Sequence, residues 1–112
     1  MQPWKKLFKT EEQHDLVVLN IYDTKSKTYR EKPIFAPTVD VMIRNYENFY
    51  RKPSPEDSQD LIFTNAEDFQ LYLVGTYCQR SGVITSRQPE HVANLHEIKA
   101  AFAGRSSLDA VQ

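Results

Sequence analysis

The chain has 112 residues, 40% of them apolar, and its 14 Lys and Arg against 15 Asp and Glu leave a net charge of −1. That fits one soluble globular domain with a modest core, without the basic excess a DNA-binding domain usually carries. One cysteine, Cys78, excludes an intramolecular disulfide and a cysteine-based zinc cluster and fits a reducing compartment.

Residues 1–14 read as a flexible basic arm, with Lys5, Lys6 and Lys9 and an i, i+3, i+4 trio of Trp4, Leu7 and Phe8. The arm lacks the apolar segment of a secretion signal, and the longest apolar run, Leu16 to Leu19, is far too short to span a membrane. "DLVVLNIYD" predicts a central strand, because Val17, Leu19 and Ile21 alternate with Leu16, Val18, Asn20 and Tyr22 and both faces are largely apolar. "DTKSK" supplies turn chemistry through Asp23 and Ser26. A second strand is expected over Thr28–Arg30, with a continuation to Phe35 that Pro33 interrupts, which places it at an edge.

A helix is predicted over Thr38–Lys52. Thr38 caps it, Asp40 sits where the dipole favours an anion, and Pro53 stops it. Val39, Met42, Ile43, Tyr46, Phe49 and Tyr50 make one apolar face, which reads as core. After the polar "SPEDSQD" loop and the short apolar "LIF", Asn65 is expected to cap one helical turn. "FQLYLVGTYC" then reads as a strand with Leu71 and Leu73 on one face and Tyr72 and Val74 on the other. Gly75 within it marks a bulge or a close approach of another backbone. "QRSG" is a hairpin turn, with Gly82 at the position that tolerates positive φ, and "VIT" returns as a short partner strand. "SRQPEHVANLHEIKAAFAG" is expected to be a second helix, with Pro89 in its first turn, a stripe of Val92, Leu95, Ile98 and Phe102, and Gly104 as its stop. Residues 105–112 read as a loose tail. The order predicts an α+β fold over 15–104: a small antiparallel sheet of about four strands in two hairpins, with two packed helices.

Nothing in this pattern points to catalysis. His91 and His96 are five apart, which does not put them on one helical face for shared metal ligation. Only three glycines exist and none cluster into a phosphate loop. The Glu67–Asp68 pair sits beside a turn, where carboxylates serve as caps. The reading is therefore of a non-enzyme with no cofactor and no metal. What remains is binding. Lys25, Lys27, Arg30 and Lys32 interleave with Tyr22 and Tyr29 on the first hairpin, and such a hairpin contacts phosphates by charge and bases by stacking. Arg80, in the second turn, joins the same candidate set. Lysines and tyrosines are also common on exposed sheet faces that bind nothing.

The segments "IYDTKSKTY" and "EDFQLYLVGTYCQRSGVI", with the helix between them, resemble the small nonstructural protein of gokushovirus-like microviruses, bacteriophages with single-stranded circular DNA. The matching pieces are Ile21-Tyr22-Asp23, Lys25-Ser26-Lys27, Pro33-Ile34-Phe35, Glu67-Asp68-Phe69-Gln70-Leu71 with Gly75, and Arg80-Ser81-Gly82. Ala66 stands where the family commonly has proline, and Thr76-Tyr77-Cys78 replaces a more acidic stretch. The resemblance implies a viral protein made in the cytoplasm of the infected bacterium, binding single-stranded DNA during DNA replication and packaging. The alternative is an adaptor that contacts a phage or host replication protein or the procapsid, which the near-neutral charge favours. A homodimer is expected, because a small sheet leaves an edge to cover.

Overall fold

A computed structural model describes residues 15–103. The basic arm and the C-terminal tail lie outside the described residues, as does Gly104. Within them the chain forms β1 (Asp15–Asp23), β2 (Thr28–Tyr29), β3 (Ile34–Ala36), α1 (Val39–Arg51), the one-turn α2 (Leu61–Thr64), β4 (Phe69–Cys78), β5 (Ile84–Asn94) and α3 (Leu95–Phe102). Short 3-10 turns at Asp57–Gln59 and Ala66–Asp68 flank α2. The architecture is α+β, with an antiparallel sheet and packed helices.

The sheet has five strands rather than four. Its order is β2-β1-β4-β5, and β3 shares the outer edge of β1 with β2. The expected second strand is thus split in two: Tyr29 pairs with Tyr22, Ile34 pairs with Leu19, and Arg30 to Pro33 leave the ladder between them. Proline has no N–H to give a ladder, so the break falls where the sequence placed it. Asn20 holds the detour in place by donating from Nδ2 to the Arg30 carbonyl at 2.8 Å, and the Arg30 N–H donates to the Ile21 carbonyl.

One face of the sheet carries the core. Leu19, Ile21 and Leu71 are fully buried, joined by Ala36 and Phe69 from the sheet and by Tyr46, Tyr50, Ile62, Ala66 and Leu95 from the helical layer. The Thr38 hydroxyl accepts from the Val41 N–H and caps α1, and Val39, Met42, Ile43 and Phe49 pack around the buried Tyr46 and Tyr50. Tyr50 donates its hydroxyl to the Ile62 carbonyl, which fastens α1 to α2. The "LIF" segment is itself the helical turn α2, capped by Asp60 accepting from the Ile62 N–H. Asn65 makes no side-chain cap; its carbonyl instead accepts the Asp68 N–H.

Burial pushes the Tyr46 phenol up from 10.0 to about 12, opposed by the charge of Arg30 and reinforced by Asp60. Burial raises the Tyr50 phenol in the same direction. A folded pKa above the unfolded one means that the stabilising contribution is complete below pH 10 and is lost as pH climbs through the folded value. Denaturant melts should therefore show stability falling between about pH 10 and 12. For Tyr46 the loss is on the order of 2 to 3 kcal/mol. A flat profile in that window, or one that Tyr46→Phe leaves equally steep, contradicts this burial.

The largest departure from expectation is the second helix. Residues 84–94 are strand, and the helix begins only at Leu95. Val92, Leu95 and Ile98 still face the core, as the stripe predicts, but Val92 does so from a strand bulge: Leu71 pairs with Ala93 and Tyr72 with His91, leaving Val92 between them. Pro89 lies in a second, wider bulge. Leu73 pairs with Glu90 and Gly75 with Ser86, so Arg87, Gln88 and Pro89 all stand opposite Val74. A proline at an edge bulge costs no ladder bond. The ten-residue β4 needs a partner along its outer side, and β5 supplies it.

Candidate nucleic-acid interface

The helices cover one face of the sheet, and no described helix packs on the other. Strand alternation sends Asn20 and Tyr22 from β1, Tyr29 from β2, Phe35 from β3, Gln70, Tyr72 and Tyr77 from β4, and Ile84 and His91 from β5 to that open face. Four of these rings form a continuous cluster. Tyr22 and Tyr29 have centroids 5.0 Å apart, Tyr22 and Tyr72 5.9 Å, Tyr29 and Tyr72 5.6 Å, and Tyr72 and His91 5.4 Å, all edge to face. Tyr29 is 37% exposed, His91 is exposed, and Tyr22 and Tyr72 are half-buried. Partial desolvation, with the neighbouring Tyr72 and Tyr22 hydroxyls, raises the Tyr29 phenol above its usual value, so Tyr29 stays neutral and able to donate at physiological pH.

Local contacts hold the cluster's parts. The Tyr72 hydroxyl donates to Gln70 Oε1 at 3.2 Å, and His91 Nε2 shares a 2.8 Å hydrogen bond with Asn94 Oδ1, whose amide donates to Glu97 at 3.0 Å. The β1–β2 turn borders it. Asp23 Oδ1 accepts the N–H groups of Lys25 and Ser26, the Asp23 carbonyl accepts that of Lys27, and Lys27 adopts φ +62, which closes the turn. Thr24 ties the turn to the main body by donating both its N–H and its hydroxyl to the Asp68 carbonyl, each at 2.9 Å. Lys25 and Lys27 are thereby exposed on a fixed loop, two to three residues from Tyr22 and Tyr29.

The candidate residues do not all share this surface. Tyr22, Tyr29, Lys25 and Lys27 come together. Arg30 follows Tyr29 by one residue and turns to the helix side, where its guanidinium lies 5.6 Å from the Phe69 ring centroid. Lys32 lines a cavity on that side together with Arg30. Arg80 sits in the β4–β5 turn, two residues past Cys78, which pairs with Asp15 at the opposite end of β1 from Asp23. At ~3.3 Å per strand residue that is about 25 to 30 Å from the lysine turn. Tyr72 and His91 complete the cluster without having been singled out as binding residues. The alternation in "FQLYLV" already set Tyr72 opposite Leu71 and Leu73, but only the β1–β4 register puts it beside Tyr22 and Tyr29.

A second apolar group lies at the far end of the open face, where Phe35 and Tyr77 have ring centroids 5.4 Å apart and Ile84 pairs with Tyr77. Phe35 is 43% exposed and Ile84 61%. Among the described residues no three His, Cys, Asp or Glu side chains are grouped to hold a metal ion, and no helix is long and apolar enough to cross a membrane.

No curated protein and no solved structure matches the chain. The family described as Phage ORF5 protein does match, over residues 16–98, a span that begins in β1, contains the whole ring cluster and the lysine turn, and ends inside α3. The chain therefore belongs to the Phage ORF5 protein family.

Proposed function

We propose that this bacteriophage protein is a non-catalytic factor that binds single-stranded DNA on the open face of its sheet, in the cytoplasm of the infected host. There it assists genome synthesis or packaging as a nonstructural protein of a microvirus-like phage. The observation that carries the reading is the Tyr22–Tyr29–Tyr72–His91 cluster bordered by Lys25 and Lys27. Aromatic side chains on a sheet face stack with unpaired bases whatever their sequence, while the adjacent cations contact phosphates. The net charge of −1 makes such binding local, resting on a few phosphate contacts.

The test is a titration with labelled single-stranded DNA at several salt concentrations. Each phosphate contact contributes about −0.7 to the log–log salt slope. Replacing Lys25 and Lys27 together with alanine should lower the affinity and flatten the slope by about 1.4. Tyr29→Ala or Tyr72→Ala should each cost roughly 1–3 kcal/mol and leave the slope unchanged, because stacking releases no counterions. Equal DNA affinity for the wild type and the double lysine variant at low salt would remove this surface from consideration.

The second reading is an adaptor that binds a replication protein or a procapsid component. The exposed Phe35, Tyr77 and Ile84 favour it, since apolar groups gathered at one end of a sheet face suit a protein partner. Under that reading Phe35→Ser abolishes partner binding, while the tyrosine and lysine variants retain it. In either case pairing of two copies along the outer edge of β5 gives a homodimer, and light scattering that returns only a monomer at roughly tens of micromolar argues against it.

A further inference from the structure

On the helix side of the sheet, beneath the β2–β3 connection, a cavity of about 300 Å³ is lined by Ile21, Arg30, Glu31, Lys32, Ile34 and Tyr46. Its size is at the lower end of small-ligand sites. Tyr46 is only 6% exposed, and no described residue hydrogen-bonds its hydroxyl. Every fully enclosed side-chain polar atom among the described residues has a partner, so the Tyr46 hydroxyl owes its freedom to the cavity it lines. A phenol that deep in a core ordinarily finds an acceptor. Here the hydroxyl opens instead into a cavity that Arg30 and Lys32 also line.

We propose that this cavity is a binding site for a phosphate monoester carried on a nucleoside. Arg30 offers a planar fork of N–H donors suited to phosphate oxygens, and its stacking against Phe69 holds that fork in place. Lys32 adds a second positive charge, and the Tyr46 hydroxyl donates to a phosphate oxygen from the floor. Glu31 disfavours a bare dianion, but its carboxylate accepts from the sugar hydroxyls or the exocyclic amine of a nucleoside. Ile34, partly exposed, supplies apolar wall for the base, over the buried Ile21. The site lies on the opposite face of the sheet from the tyrosine cluster and does not depend on that cluster binding DNA. The same chemistry is presented by a free nucleoside monophosphate and by the 5′-phosphorylated end of a DNA strand.

The experiment is calorimetric titration of the full chain with deoxyadenosine monophosphate, deoxyadenosine and inorganic phosphate, and with a short oligonucleotide carrying or lacking a 5′-phosphate. Saturable binding of the monophosphate, with much weaker binding of the nucleoside, is expected. Tyr46→Phe should weaken it about tenfold, as the loss of a hydrogen bond to a charged group does. At neutral pH it should leave the melting temperature unchanged, because the hydroxyl has no protein partner to lose. Arg30→Gln should weaken monophosphate binding at least as much, and the Lys25/Lys27 double alanine variant should bind the monophosphate like wild type. A preference for the phosphorylated strand that Tyr46→Phe removes assigns the site to a strand end; monophosphate binding without that preference assigns it to the free nucleotide. Absence of monophosphate binding up to about 10 mM, or unchanged affinity in both Tyr46→Phe and Arg30→Gln, overturns the proposal.

Discussion

Leu71→Ala should destabilise the domain by about 2–5 kcal/mol, the range for truncating a fully buried leucine. Leu71 has no exposed surface and is the third residue of β4, paired with Ile21 on one side and Ala93 on the other. Phe69 and Leu73 flank it on the same face, and Tyr50 and Leu95 belong to the same buried cluster. Strand ladders on both sides fix the backbone there, so the surrounding structure cannot collapse into the space left behind. For a domain of this size each kcal/mol moves the melting temperature by about 4–8 °C. A thermal melt should therefore fall by about 8 °C or more, while Phe35→Ala on the open face should move it far less. A shift of only two or three degrees for Leu71→Ala would place the core elsewhere.

Gly75→Ala should cost about 3 kcal/mol, the upper end of what overpacking usually costs. A Cβ at Gly75 would press far inside contact distance on the Thr85 carbonyl oxygen and lie 3.3 Å from its carbon and 3.4 Å from the Ser86 Cα. All three are backbone atoms of the neighbouring strand, so no side chain can swing away. Val74 bulges out of the β1–β4 ladder next to it, which leaves the strand little room to slide. Gly82 gives the contrast. Nothing lies within 4 Å of a Cβ there, but its φ is +76. Gly82→Asn should be nearly neutral, since asparagine tolerates the left-handed region, whereas Gly75→Asn should be at least as damaging as Gly75→Ala. Equal effects at the two glycines would show that β5 does not approach Gly75 as closely as this register requires.

The candidate interface was half legible in the sequence. Tyr22 and Tyr29 are joined by a six-residue link rich in turn formers, so a hairpin pairing was readable and the Lys25–Lys27 turn with it. Arg30 and Lys32 look like members of the same cluster when read along the chain. Strand alternation sends Arg30 to the other face, and the break at Pro33 carries Lys32 off the ladder with it. Tyr72 and His91 were the reverse case, distant in sequence and adjacent in space. Tyr72 pairs with Asn20 in an unbroken stretch of the β1–β4 ladder that ends at the Val74 bulge, and His91 comes opposite Tyr72 only because of the bulge at Val92. A bulge is settled by which side chains fit the core, and nothing local at either valine announces it.

The elements with local signals were legible along the chain. Alternation in "DLVVLNIYD" and "FQLYLV" made β1 and the start of β4. The Thr38 cap, the apolar stripe through Tyr50 and the stop at Pro53 made α1, and Gly82 made the second turn. Tertiary structure decided what residues 84–94 become. The segment "ITSRQPEHVAN" has no strand alternation, and its proline, glutamate and following apolar stripe suit a helix start. Yet β4 is paired along one side by β1 and would otherwise leave its other row of N–H and C=O groups without a ladder partner. Satisfying that row outweighs the weak helical preference of the segment, with the two bulges absorbing Pro89 and turning Val92 inward. The same choice carries His91 to the open face beside Tyr72, so the strand that the sequence concealed is also the one that completes the ring cluster.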